Sequence, residues 1–173
     1  MVCVGRLAPQ KGHRYLIDAM PSVLSEHPGA RLLMVGDGHL VRSLRERAEP
    51  LGDGVAFLGL RHDVPALLAL SDVFVFPSLW EGVGLSLREA MIVGRPVVAT
   101  NIPAHREYVI DGETGILVRA ADPSALAEAI LRVVGDPDEA RAMGKRAAES
   151  TAGFDIRVTT RELEVVYEEV LGS

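Results

Sequence analysis

The chain has 173 residues, 48% of them hydrophobic and 24% charged, enough for one substantial core and too few for a second full domain. Its formal net charge of -6 has the wrong sign for general attraction to a nucleic-acid backbone, so any anion site must be local. The single cysteine, Cys3, excludes an intrachain disulfide framework and a multi-cysteine zinc site, and it suits a reducing, cytoplasmic setting.

Met1 runs directly into the apolar residues Val2, Cys3 and Val4, as expected of a domain taken from a longer protein, and Cys3 reads as a core residue. Strand-sized apolar runs then recur at Arg31 to Val35, Val55 to Leu58, Asp72 to Phe76, Pro96 to Ala99 and Gly115 to Val118. None approaches the ~20 residues of a membrane span, and no signal-peptide pattern is present. Between the first two runs, Leu16, Ile17, Met20, Val23 and Leu24 share one helical face, with Pro21 expected to cost a hydrogen bond and bend the axis. Asp122 before Pro123 and Asp136 before Pro137 each predict an N-cap with proline at the first helical position. The first of these helices faces the core with Leu126, Ile130, Val133 and Val134. A last helix is expected after Asp155, carrying Leu163, Val166, Tyr167, Val170 and Leu171. Strands alternating with helices imply a parallel sheet covered on both faces, a doubly wound, Rossmann-like α/β domain over residues 1–173. Ligands of such sheets bind beyond the C-terminal strand ends, which puts the chemistry in the loops after each run.

After the first run come Gly5, Arg6, Leu7, Ala8, Pro9, Gln10, Lys11 and Gly12. A forked guanidinium and a compact ammonium at one strand-to-helix corner suit a diphosphate, and ordinary solvated charges are the competing reading. Neither G-x-G-x-x-G nor the Walker lysine pattern occurs, which removes the main support for dinucleotide and P-loop readings. After the fourth run the chain reads Pro77 to Met91, with Gly82 and Gly84 just before an expected helix whose free N–H groups favour an anion. Glu81 precedes that turn and Glu89 lies about two helical turns on, so both carboxylates could line one pocket and accept bonds from sugar hydroxyls. Taken singly, each glutamate also reads as a capping or exposed charge.

Glu81 and Glu89, with residues 82 to 88 between them, resemble the signature of retaining glycosyltransferases of the family-four, or group 1, type. The resemblance extends over Val4 to Gly12, Met34 to Gly38, Phe57 to Gly59, Ser71 to Ser78, Glu81 to Met91, Gly94 to Ala99, Glu107 to Gly115 and the Asp122 helix. It implies one half of a GT-B enzyme, with the donor-binding domain present and an N-terminal acceptor domain as its missing partner. It further implies that Arg6 and Lys11, with Gly5, hold the diphosphate of a nucleotide-diphosphate-sugar donor. Glu81 would then lie by the donor sugar in a catalytic role and Glu89 by the ribose. Amides around Gly82, Val83, Gly84 and Leu85 would hold phosphate or sugar oxygens, and Leu60, Arg61 and His62 would frame the base. Two departures stand out: Val83 occupies a place where many members have phenylalanine, and Arg88 one where an apolar residue is frequent. His105 and Arg106 read as exposed residues, with an acceptor-side position as the competing reading.

No metal-ligand cluster and no cofactor are expected, and membrane contact is not indicated by this half. Two other readings remain: a non-catalytic nucleotide or nucleotide-sugar module, and an unrelated α/β oxidoreductase or sugar-phosphate enzyme sharing only the fold.

Overall fold

The computed structural model describes residues 1–151; the expected helix after Asp155 lies outside the described residues. Six parallel strands, β1 (Val2–Val4), β2 (Leu32–Val35), β3 (Val55–Gly59), β4 (Phe74–Phe76), β5 (Val97–Thr100) and β6 (Ile116–Val118), form one sheet. Their order is β3-β2-β1-β4-β5-β6. The strands are short and rich in valine, isoleucine and leucine, as expected where both faces are covered.

Helices α1 (His13–Glu26), α2 (Val41–Ala48), α3 (Val64–Leu70), α4 (Leu85–Ile92), α5 (Pro103–Arg106), α6 (Pro123–Gly135) and α7 (Pro137–Ser150) follow in chain order. Leu16, Ile17, Met20 and Val23 of α1 pack with Leu126, Ile130 and Val133 of α6 on one side of the sheet. On the other side, Leu87, Ala90 and Met91 of α4 pack with Phe74, Phe76, Val97 and Ala147. Alternation along β4 and β5 divides these cores, with Val75 and Val98 in the first and Phe74, Phe76, Val97 and Ala99 in the second.

Asp122 accepts from the Ala125 amide at 3.1 Å and Asp136 from the Glu139 amide at 3.0 Å, so both expected N-caps are formed. Pro21 sits inside α1, exposed, and the helix continues through it to Glu26. Gly144 of α7 lies so close to Gly94 that an added Cβ would be 2.1 Å from the Gly94 carbonyl, which seats α7 against the end of α4.

The strand order reverses between β1 and β4, which face each other across the point where their following helices diverge to opposite faces. That switch point is where an open α/β sheet offers a crevice at its C-terminal edge.

Candidate functional site

The β1 loop is pinned from two sides. The Gly5 amide donates to the Val35 carbonyl and the Leu7 amide to the Asp37 carbonyl, both at 2.9 Å, while the Leu79 amide donates to the Gln10 carbonyl at 2.7 Å. Close backbone approach demands glycine here: a Cβ on Gly12, at φ +64, would lie 2.0 Å from the Pro77 carbonyl oxygen. A Cβ on Gly36 would lie 2.0 Å from the Gly5 carbonyl oxygen, and one on Gly38 2.3 Å from that of Leu7. Three loops, after β1, β2 and β4, are thus packed backbone to backbone around the switch point.

At their junction Lys11 Nζ lies 2.5 Å from Glu81 Oε1, with only 15% and 6% of the two side chains exposed. The buried Ser78 hydroxyl donates to the same oxygen at 2.7 Å. Oε2 accepts no hydrogen bond among the described residues. The ammonium also sits 4.8 Å from the centre of the Phe76 ring, a cation–π contact that holds it at the end of β4. Arg6 is exposed beside this pair and joins no ion pair among the described residues. Gly82 and Val83 are exposed on the turn that follows. Gly84, at φ 62, is the N-cap of α4, and no side chain among the described residues caps that end. The first amides of α4, from the exposed Leu85 and the half-buried Ser86, therefore have no helical acceptor of their own and lie at the positive end of the helix dipole. Ser86 Oγ donates to the Val4 carbonyl at 3.1 Å, tying this helix start to the end of β1.

The expected residues separate into two groups. Gly5, Lys11, Glu81, Gly84 and Leu85 converge at the switch point. Glu89 is exposed on α4 and is not in hydrogen-bond contact with Glu81. Arg61 and His62 are exposed after β3, and Arg61 is engaged in a two-pronged bond to Asp63 at 2.8 and 2.6 Å. The departure at Arg88 is accommodated locally, since its guanidinium lies 5.5 Å from the Tyr108 ring centre.

His105 corrects the sequence reading, which placed it in solvent. It is 0% exposed, because the short α5 turns the ring inward against Phe76, 5.0 Å away, while Arg106 stays outside. Its Nδ1 is 2.8 Å from the Thr100 carbonyl, and Thr100 in turn donates its hydroxyl to the Ser78 carbonyl. Burial lowers the His105 pKa, opposed by the Thr100 carbonyl and by Glu81 and reinforced by Lys11. Ser78 and Thr100 were not singled out from the sequence, and the one available signal that His105 is buried was the apolar run of Ile102, Ala104 and Val109 around it.

A cavity of about 1000 Å³ lies at the opposite, N-terminal edge of the sheet, lined by Met1, Asp72, Arg95, Pro96 and Lys145 among others. None of the expected site residues lines it. Among the described residues no group of three or more His, Cys, Asp or Glu side chains is placed to hold a metal ion, and no helix is long and apolar enough to cross a membrane.

Residues 1–136 match the family model described as glycosyl transferases group 1. The chain belongs to the group 1 glycosyltransferases. This group 1 domain is 34% identical over 179 residues to the lipopolysaccharide core biosynthesis mannosyltransferase LpsB of Rhizobium meliloti, covering 98% of the chain and 51% of LpsB. It superposes with a TM-score of 0.86 on Anabaena Alr3699/HepE in a crystal structure with UDP-glucose, at 30% identity over 96% of the chain and 48% of HepE. The C-terminal domain of the group 1 protein LpcC from Francisella tularensis shares the fold, with a TM-score of 0.80 at 22% identity over 87% of the chain and 82% of that domain. The group 1 domain spans about half the length of the curated relatives it matches.

Proposed function

We propose that this group 1 domain is the donor-binding half of a retaining, metal-independent hexosyltransferase, working with an N-terminal acceptor domain. The observation that carries the reading is the cluster at the switch point: Lys11 paired with a Glu81 carboxylate that Ser78 also bonds, Arg6 open beside it, and the uncapped start of α4. In a protein of net charge -6 this is a local concentration of anion-binding groups, and a diphosphate bridges two cations and a helix N-terminus well. HepE, a relative of the same fold, is crystallised with UDP-glucose.

In this reading Arg6, Lys11 and the α4 amides stabilise the negative charge that develops on the departing diphosphate, while Glu81 Oε2 accepts from hydroxyls of the sugar. The Glu89 carboxylate takes the ribose, and Leu60, Arg61 and His62 border the base. Transfer itself needs the acceptor platform and the exclusion of water that a second domain supplies, so the 173-residue chain binds donor without turning it over.

Calorimetric titration with UDP-, GDP- and ADP-sugars tests this. Dissociation constants of about 10 μM to 1 mM are expected, because each charged contact contributes only about 1 to 3 kcal/mol and half the cleft is absent. Failure of every sugar nucleotide and every nucleoside diphosphate to bind at several millimolar would refute the donor assignment.

A further inference from the structure

We propose that His105 is a positioning residue for the sugar-facing carboxylate: through Thr100 and Ser78 it fixes Glu81 with Oε1 on Lys11 and Oε2 toward the cleft. The inference rests on the donor reading above for the identity of the ligand, and on the structure alone for the chain of contacts.

A carbonyl oxygen only accepts, so the 2.8 Å contact between His105 Nδ1 and the Thr100 carbonyl requires a proton on Nδ1. The same N–H reaches the Thr100 hydroxyl oxygen at 3.3 Å, while that hydroxyl gives its own proton to the Ser78 carbonyl. In the neutral ring Nε2 is then a bare acceptor, and it is buried without a hydrogen-bond partner among the described residues. A packing residue would gain nothing from such an atom, since an apolar side chain would fill the space without leaving a polar group unsatisfied. What the imidazole supplies is the rigid Nδ1 donor.

β4 and β5 are parallel neighbours in register, Phe76 against Ala99, so their C-terminal loops leave the sheet side by side. Thr100, 0% exposed, clamps the backbone of Ser78, also 0% exposed, and the Ser78 hydroxyl donates to Glu81 Oε1. That oxygen already takes the Lys11 ammonium, so two donors from two loops saturate it and the carboxylate cannot rotate without losing both. The remaining oxygen is the one left for a hydroxyl donor. Phe76 ties the two ends together, with His105 at 5.0 Å and the Lys11 ammonium at 4.8 Å from its ring centre.

The test titrates the 173-residue chain with UDP-glucose against UDP and with GDP-mannose against GDP, by calorimetry, in wild type, Ser78→Ala, His105→Gln and His105→Asn. Ser78→Ala and His105→Gln should weaken the sugar nucleotide about ten-fold and shift the free diphosphate by no more than about two-fold, as loss of one hydrogen bond to a charged group would. His105→Asn places an amide donor where Nδ1 stood and should restore most of the loss, which a merely space-filling residue would not allow. Sugar-nucleotide affinity unchanged in folded Ser78→Ala, or equal losses in the Asn and Gln variants, would overturn the proposal. A wild type that binds none of the four ligands would sink the donor reading instead. In that case the ¹⁵N spectrum of the His105 ring decides alone: a protonated Nδ1 and bare Nε2 uphold the chain of contacts, and the reverse tautomer breaks it.

Discussion

Lys11 and Glu81 hold each other at 2.5 Å, so a diphosphate that reaches the ammonium shares it with a carboxylate. Arg6, exposed and outside any ion pair among the described residues, has no such competitor. Arg6→Ala and Lys11→Ala should each weaken UDP or GDP by roughly ten-fold and leave the free nucleoside unaffected, since the lost partners are phosphate oxygens. Equal losses for diphosphate and nucleoside would show a base contact or unfolding instead. A double-mutant cycle of Lys11→Ala and Glu81→Gln should give a coupling beyond about 0.5 kcal/mol in sugar-nucleotide affinity, and strict additivity would mean the pair is not kept in the bound state. His13 behaves differently. It is 2% exposed with Nδ1 unpartnered among the described residues, and burial, with a smaller push from Lys11, takes its pKa down to about 4. The unfolded chain therefore binds the proton first as pH falls, so this contribution to stability is complete above pH 6.5 and is lost between 6.5 and about 4. Urea midpoints should drop over that window by the equivalent of at most about 3 kcal/mol, and His13→Leu should flatten the drop. An identical profile in the variant would show that other groups control acid unfolding.

Elements differ in how much of themselves the chain displays. The six strands fall within a residue or two of the apolar runs because a buried parallel strand must be apolar along its whole length. Asp122 and Asp136 were readable as caps because the Asp-Pro pair satisfies a local hydrogen-bonding need that no tertiary contact has to supply. Helices α2 and α3 were not. Only Leu44 and Ala48 of α2 are buried, too few to set a period, and α3 is apolar almost throughout, which hides its one fully buried residue, Leu68. The loops show the same division: Gly12, Gly36 and Gly38 could be listed from the chain, but the carbonyls they approach belong to other loops. Gly12→Ala should accordingly lower the melting temperature by ten degrees or more, on the order of 3 kcal/mol for backbone overlap and a positive φ together. Gly135→Ala, at the end of α6 with nothing within 4 Å of the added carbon, is the control and should be near neutral. Similar melting temperatures for both would contradict the packing of the β1 and β4 loops described here.

On the scale of the whole molecule, the β3-β2-β1-β4-β5-β6 order places the β1 and β4 loops side by side, although Lys11 and Glu81 are 70 residues apart. The pairing of β1 with β4 is therefore what joins the two loops into the cluster proposed as the anion site. The sequence marked Lys11, Glu81 and the α4 start through their order along the chain, whereas Ser78, Thr100 and His105 act through backbone and hydroxyl bonds that leave no spacing to read. The loop cluster at the switch point and the cavity beside Met1, Arg95 and Lys145 lie at opposite edges of the sheet. Donor is proposed to bind at the first. Amide chemical-shift mapping of the ¹⁵N-labelled chain with UDP-glucose and GDP-mannose tests it most directly. Shifts should centre on Gly5, Lys11, Gly84 and Leu85 and spread to Ser78, with Gly29, Gly94 and Ala140 unmoved; shifts centred on the latter three, around the far cavity, would contradict it.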